Sequence, residues 1–262
     1  MPFLGVALDS GATNNVISRN HLLANNVSVH LNLADANYIL QNDMTNNYRS
    51  VTLWESKNNE VYHNNFLNNT FAFGSVTAAD PNFLDNGSEG NYWSNYTKVD
   101  LNHDGIADSP YVIDENHTDH YPLMGMFSDF NATSKYHVQA ICNSTISDFQ
   151  FSGTAISFNS TGVDGTAGFC RICIPTVLIN GTYHVFVNGT EVSCNLLSCS
   201  NETHSFLYFN YTHSTQEVII VPEFPSFFIL PALMITTLLA IVIYKKRTET
   251  IEDTSVSLFK PV

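Results

Sequence analysis

An asparagine-punctuated repeat of 22 residues runs from Asn15 to Asn69 and constrains the fold more than any other feature of this chain. At that offset Asn15, Asn37 and Asn59 share one column, Asn20, Asn42 and Asn64 a second, and Asn25, Asn47 and Asn69 a third. Apolar residues keep the same phase, with Ile17, Ile39 and Val61 in one column and Leu22, Met44 and Phe66 in another. Self-similarity at a period of roughly 20 to 50 residues marks a solenoid, in which each unit covers the apolar face of the next. Within a unit the apolar residues alternate, as in Val16-Ile17-Ser18, Val29-His30-Leu31-Asn32-Leu33 and Val51-Thr52-Leu53-Trp54. That is strand periodicity, and no window sustains a helical stripe. A unit of 22 residues holds three short strands and three bends, but is too short for the paired helices of ankyrin or tetratricopeptide repeats. The expected fold class is all-β, a parallel β-helix with Ile17, Ile39 and Val61 pointing into its core.

Taken singly, each Asn reads as an ordinary turn residue whose short side chain bonds nearby backbone and tolerates left-handed dihedrals. Three columns in register imply more, a ladder of side-chain amides bonded along the solenoid axis. Ser10-Gly11-Ala12-Thr13-Asn14-Asn15 reads as Ser56-Lys57-Asn58-Asn59 with two residues added at a bend, where insertions are tolerated. The sequence opens at Met1-Pro2-Phe3 in mid-coil with no cap visible upstream, which suggests a truncated frame or a shortened variant. No basic region followed by an apolar core, the pattern of a signal peptide, precedes the repeat.

Residues 224–244 are almost wholly apolar, interrupted by Pro225, Ser226, Pro231, Thr236 and Thr237, and carry no charge. About 20 such residues span a bilayer core. Lys245-Lys246-Arg247 follows, which the positive-inside tendency places in the cytoplasm. The expected organisation is a membrane anchor over 222–247, a short polar cytoplasmic tail over 248–262, and everything before it outside the cell; the competing reading of the apolar stretch is a buried core helix. Asn-x-Ser/Thr sequons fit an outside location: Asn26, Asn68, Asn86, Asn95, Asn116, Asn131, Asn143, Asn159, Asn180, Asn188, Asn201 and Asn210, with none beyond the span.

The formal charge is −14, from 24 acidic and 10 basic residues, with no basic patch to neutralise phosphates. Nucleic acid is therefore not an expected partner. The five cysteines, Cys142, Cys170, Cys173, Cys194 and Cys199, all lie in the second half of the ectodomain. In an oxidising compartment they can form up to two disulfides and leave one thiol over. Cys170-x-x-Cys173 looks like half of a metal or redox motif, but it precedes Ile174-Pro175 in a strand-like run.

After the last clear coil comes Asp100-Leu101-Asn102-His103-Asp104-Gly105-Ile106-Ala107-Asp108. Side-chain oxygens fall at loop positions 1, 3, 5 and 9, from Asp100, Asn102, Asp104 and Asp108, with Gly105 at 6 and the Ile106 carbonyl at 7. This spacing wraps a hard cation such as Ca²⁺, which takes six to eight oxygens. Tyr111 stands where a loop of this kind ends in Glu, so water or a distant carboxylate, Asp114 or Asp119, must complete the shell. The expected cofactor is structural Ca²⁺, and the competing reading is a metal-free Asp/Asn-Gly turn. No His or Lys stands at a partner spacing that would make these aspartates catalytic.

The Asn coils, then Gly90-Asn91-Tyr92-Trp93-Ser94-Asn95-Tyr96, then Asp100 to Asp108 with Pro110-Tyr111, and finally Asp119-His120-Tyr121-Pro122-Leu123-Met124 resemble the C-terminal end of the NosD-type right-handed β-helix domain. The resemblance covers roughly residues 5–126 and is most specific in its terminal motif. It implies a periplasmic or surface β-helix, in some members linked to copper delivery for nitrous oxide reductase, while related helices bind or act on carbohydrate. Copper wants soft or imidazole ligands. Among His21, His30 and His63 no two share a column, so a copper role is not carried over with the resemblance.

Residues 127–221 read as a second, β-sandwich-like domain, with strand-like runs at Ile156-Ser157-Phe158, Phe169 to Ile174, Tyr183 to Val187 and Phe206 to Tyr211 separated by turn signals. With Pro222-Glu223-Phe224-Pro225 ahead of the apolar stretch, it is similar to the membrane-proximal module of archaeal surface proteins and their sorting tail. The expected function is a membrane-anchored extracellular module that binds surface polysaccharide or surface protein, or spaces such a module from the membrane. Tyr38, Trp54 and Tyr62 are the aromatics that could meet a polymer. The alternatives are a carbohydrate-active enzyme of lyase or epimerase type, or copper handling. A lyase needs an Arg or Lys base beside its acidic cluster, and Arg19 and Arg49, 30 residues apart, do not share a column.

Overall fold

A computed structural model describes residues 3–75, 81–97 and 99–223. The described chain is all β, and its first part is a solenoid of about three turns. Coil one carries β1 (Leu4–Leu8), β2 (Val16–Ser18) and β3 (His21–Leu23). Coil two carries β4 (Val27–Asn32), β5 (Tyr38–Leu40) and β6 (Asp43–Thr45), and coil three β7 (Arg49–Trp54), β8 (Glu60–Tyr62) and β9 (Asn65–Leu67). The stack continues in β10 (Phe71–Ser75) and β11 (Tyr92–Trp93). Three parallel sheets run along it, β1-β4-β7-β10, β2-β5-β8 and β3-β6-β9-β11. The pairing puts Ile17, Ile39 and Val61 opposite one another, and Leu22, Met44 and Phe66 likewise. All six are buried, so the columns seen in the sequence are the core columns of the fold.

The asparagines form the ladder. Asn20 Nδ2 donates to Asn42 Oδ1 at 2.9 Å, and Asn42 Nδ2 to Asn64 Oδ1 at 2.9 Å; the other two columns repeat the pattern. Each accepting oxygen also takes the backbone N–H of the preceding ladder residue, and each inner Nδ2 reaches a carbonyl one coil back, as Asn42 does to Ile17. A fully buried amide is tolerated because both of its ends are satisfied. The left-handed backbone lies one residue earlier than a turn-forming Asn would put it, at Arg19, Gln41 and His63 in one column and at Asn14, Ala36 and Asn58 in another. The ladder Asn itself turns inward, and the residue before it takes the strained bend. The first coil also differs from expectation: Leu8 pairs with Leu31 but Val16 with Tyr38, so its bend holds one extra residue rather than two.

Two ladders continue past the regular repeat. Asn59 donates to Asn82 and Asn64 to Asn91, across the longer separations of 23 and 27 residues. Trp93, fully buried, stacks on Phe66 with ring centroids 4.2 Å apart. The second column then ends on a carboxylate: Asp119 Oδ2 accepts the Asn91 N–H at 2.8 Å and the Trp93 indole N–H at 2.7 Å, and Oδ1 accepts the Tyr121 N–H at 3.0 Å. Gly90 passes so close that a Cβ there would overlap this carboxylate. Asp119 lies on β13 (Thr118–Asp119), which pairs with β12 (Tyr111–Val112).

Ten further strands follow: β14 (Met126–Asn131), β15 (His137–Cys142), β16 (Thr145–Phe151), β17 (Ile156–Thr161), β18 (Ala167–Pro175), β19 (Tyr183–Val187), β20 (Thr190–Val192), β21 (Cys194–Leu196), β22 (His204–Thr212) and β23 (Gln216–Pro222). They make two antiparallel five-stranded sheets, β14-β15-β18-β22-β21 and β16-β17-β23-β19-β20. Ala140, Ile172 and Phe209 from the first meet Phe158, Val185 and Ile220 from the second in one buried core. Cys142 and Cys170, paired across β15 and β18, form a disulfide; Cys173, Cys194 and Cys199 are free. Cys170 and Cys173 are three residues apart on a strand and so face opposite sides. They cannot act as a chelating or redox pair.

The described residues up to Pro222 pack as one compact unit. The last solenoid turn and the β14-β15-β18-β22-β21 sheet share a buried patch of Ile106, Leu123, Phe127, Ile141, Phe169 and Tyr208. Asn65 bonds both backbone groups of Phe127, receiving its N–H at 2.8 Å and donating to its carbonyl at 2.9 Å. The expected anchor over 224–244 lies outside the described residues, among which no helix is long and apolar enough to cross a membrane.

Candidate functional site

The outer face of the β1-β4-β7-β10 sheet carries an open groove. Its register passes from Val27↔Arg49 to Val29↔Val51 without a Ser28↔Ser50 pair, and both serines are fully buried. This irregularity turns Ser28 and Ser50 inward and leaves Arg49 and Trp54 exposed along β7, with buried Thr52 between them. A groove of about 310 Å³ is lined there by Leu4, Asn26, Val27, His30, Arg49, Thr52 and Trp54. Trp54 is 47 % exposed, and His30 Nδ1 and Thr52 Oγ1 lie 2.7 Å apart. The Arg49 guanidinium sits 5.4 Å from the Tyr48 ring centroid, and Tyr48 meets Phe71 edge-on at 5.4 Å. An exposed aromatic beside a guanidinium, an imidazole and one hydroxyl suits a ligand with one apolar face and a rim of hydroxyls. Tyr38 and Tyr62 are not part of this groove: they lie on the β2-β5-β8 sheet, where burial and the neighbouring Glu60 and Tyr38 raise the Tyr62 phenol.

The aspartate loop brings its predicted residues into one turn. Asp100 accepts the Asp104 and Gly105 N–H groups at 3.1 and 3.0 Å, Asp104 accepts the Ile106 N–H at 2.8 Å, and Asp108 the Leu101 N–H at 2.6 Å. Asn102 accepts the Asp104 N–H and donates to the Asp104 carboxylate. Burial raises the Asp100 carboxyl. The two carboxylates expected to complete the shell are committed elsewhere. Asp119 closes the Asn ladder, and Asp114 binds the Asn116 and His117 N–H groups and the His117 ring within its own turn. Any ion here would rely on the loop's own oxygens and water.

A buried charge cluster joins the solenoid to the double sheet. Glu89 is held by Arg171 from β18 and by His63 Nε2 at 2.7 Å, all three nearly buried. Burial alone would raise the Glu89 carboxyl, but the His63 hydrogen bond and the Arg171 charge outweigh it and hold it at about 2. His63 also stacks on Phe127 at 4.0 Å. No sequence pattern links Glu89 to Arg171, 82 residues away. Arg19, a candidate lyase base, is paired instead with Asp129, which also receives His137.

Among the described residues the histidines do not gather into a copper-type donor set. His30 bonds Thr52, His63 bonds Glu89, His117 bonds Asp114, and His213 lies between Ser144 and Thr166, each engaged separately. Among the described residues no group of three or more His, Cys, Asp or Glu side chains is arranged to hold a metal.

The stacked coils, Asn ladders and carboxylate terminus define a parallel β-solenoid with a built-in end. Residues 5–98 match the family described as periplasmic copper-binding protein (NosD), and the parallel β-solenoid they build fits a β-helix of that type. No curated protein and no solved structure matches the chain.

Proposed function

We propose that this chain is an extracellular NosD-type β-helix, wound right-handed as in that family, held at the membrane by residues 224–244, and that it binds surface glycan in the groove on β7. The observation that carries this reading is the exposed Trp54 set beside Arg49, Thr52 and His30. A pyranose ring presents an apolar face to an indole and hydroxyls to the polar groups around it. The family's periplasmic description supports the location, and the twelve sequons, none of them buried, agree with it.

The test is a glycan array probed with the full chain in detergent. Binding that falls at least about tenfold in Trp54→Ala, roughly 1.4 kcal/mol, supports the groove. Equal binding by both proteins, or no binding at all, removes it. Structural Ca²⁺ in the 100–108 loop is part of the same proposal: added Ca²⁺ raises the melting temperature, and Asp104→Ala abolishes the rise.

A further inference from the structure

Two of the twelve sequons share a conformation that the others lack. Asn86 Oδ1 accepts the Ser88 N–H at 3.0 Å, the Ser88 hydroxyl at 2.9 Å and the Glu89 N–H at 2.9 Å, while its own N–H donates to the Glu89 carbonyl at 3.0 Å. Asn201 repeats this on the loop leading into β22. Its Oδ1 accepts the Thr203 N–H at 2.9 Å, the Thr203 hydroxyl at 2.7 Å and the His204 N–H at 3.0 Å, and its N–H donates to the His204 carbonyl at 2.9 Å. Both residues are exposed. Three donors saturate the amide oxygen, one of them the hydroxyl at the third sequon position, and Nδ2 makes no bond within the described protein.

Other sequons are engaged at the nitrogen. Asn143 donates Nδ2 to the Ala167 carbonyl at 2.9 Å and accepts the Phe169 N–H at 2.8 Å, which locks its amide to the neighbouring strand. Asn159 donates Nδ2 to Asp148 at 2.8 Å. Hydrogen bonds on an amide oxygen stabilise the negative charge that collects there as a proton leaves the nitrogen. A nitrogen already donating must first give up its bond.

We propose that Asn86 and Asn201 are sites at which the folded chain receives N-linked glycan, and that Asn143 and Asn159 stay unmodified. The co-reactant is an oligosaccharide carried on a lipid phosphate and presented by a membrane transferase. The Asn Nδ2–C1 bond forms, the C1–O bond to the phosphate breaks, the amide proton passes to a base of the transferase, and the lipid phosphate leaves with the bonding electrons. This rests on the extracellular location proposed above but not on the Trp54 groove.

The experiment is site-by-site mass spectrometry of the full chain taken from the cells that make it, beside labelling of those intact cells with a membrane-impermeant amine reagent. Glycan on Asn86 and Asn201 with Asn143 and Asn159 bare supports the proposal. Even occupancy of all four, occupancy of only Asn143 and Asn159, or bare Asn86 and Asn201 overturns it. Labelling of the intact cells keeps the location standing in each of those cases, and its absence overturns the location instead. Asp148→Gly, which keeps the left-handed backbone of that residue accessible, frees the Asn159 nitrogen, and occupancy at Asn159 is expected to rise.

Discussion

The solenoid and the double sheet solve the problem of burying polar backbone in opposite ways. The solenoid places amides in its interior at Asn37, Asn42, Asn59 and Asn64 and satisfies each of them from the coils on either side. The double sheet keeps an apolar core, adds one disulfide, and ties buried Ser144, Ser160 and His213 into one network with half-buried Tyr211, while buried Arg171 faces the junction with the solenoid. The first design is repetitive and local, with contacts one coil away. The second depends on partners tens of residues apart, such as Ser144 and His213, and on getting all of them right at once.

The largest expected effect breaks the ladder. Asn64→Ala leaves the Asn42 N–H and the Ile39 carbonyl without their buried side-chain partner, at about 1–3 kcal/mol for each group, so a loss of about 4 kcal/mol is expected in urea unfolding. Asn15→Ala, at the exposed end of its column, should lose less than about 1 kcal/mol. Equal losses at the two positions would mean that the ladder does not stabilise by satisfying buried groups. Hydrogen exchange should show the Asn64→Ala loss first in the solenoid amides.

Next in size is the disulfide. Replacing both Cys142 and Cys170 with Ala opens a loop with a sequence separation of 28 and should cost about 3 kcal/mol, with protection lost from β15, β18 and β22 before the coils. A solenoid that loses protection equally early would show that the two regions unfold as one.

Two buried carboxylates sharpen the comparison through pH. Glu89, at the junction, has its folded carboxyl at about 2 against an ordinary 4.5. Its stabilisation is complete above pH 4.5 and is lost as pH falls through about 2, on the order of 3 kcal/mol. Asp119 goes the other way: burial outweighs its three N–H donors and pushes the carboxyl up to about 6 from 3.8. Its contribution is complete below pH 3.8 and is lost as pH rises through about 6. Glu89→Gln should therefore flatten the acid limb of a stability–pH curve, and Asp119→Asn the decline between pH 3.8 and 6. The smallest effect belongs to Arg19→Ala, which removes an ion pair with a 58 % exposed arginine and should shift stability by no more than about 1 kcal/mol.

Much of the solenoid was legible because its contacts recur at a fixed offset. Ile17, Ile39 and Val61 share a column on paper and in space for the same reason. The continuation at Asn91-Tyr92-Trp93 falls outside the 22-residue phase because a longer loop breaks it, so it was legible through the family resemblance rather than the period, although its Asn-x-apolar pattern repeats Asn42-Asp43-Met44 and Asn64-Asn65-Phe66. The left-handed bends at Ala36, Gln41 and His63 gave no compositional sign, because stacking between coils overrides a local preference worth roughly 1–2 kcal/mol. Strands β17, β18, β19 and β22 were visible from alternation, but not their pairing, which sets Ala167 against Thr212. The groove on β7 was foreshadowed only by Trp54. The junction of Glu89 with Arg171 left no mark in the sequence.

The carboxylate at the end of the ladder separates how the stack stops from how long it is. Each coil offers its successor the same donors and the same apolar columns, and Asp119 needs only the last Asn of a column, not a particular number before it. A duplicated unit inserted between Thr45 and Asn46 should then lengthen the protein by about 4.8 Å along its axis, one strand spacing, and leave the ending intact. The number of coils can therefore change without redesign of the Asp119 ending.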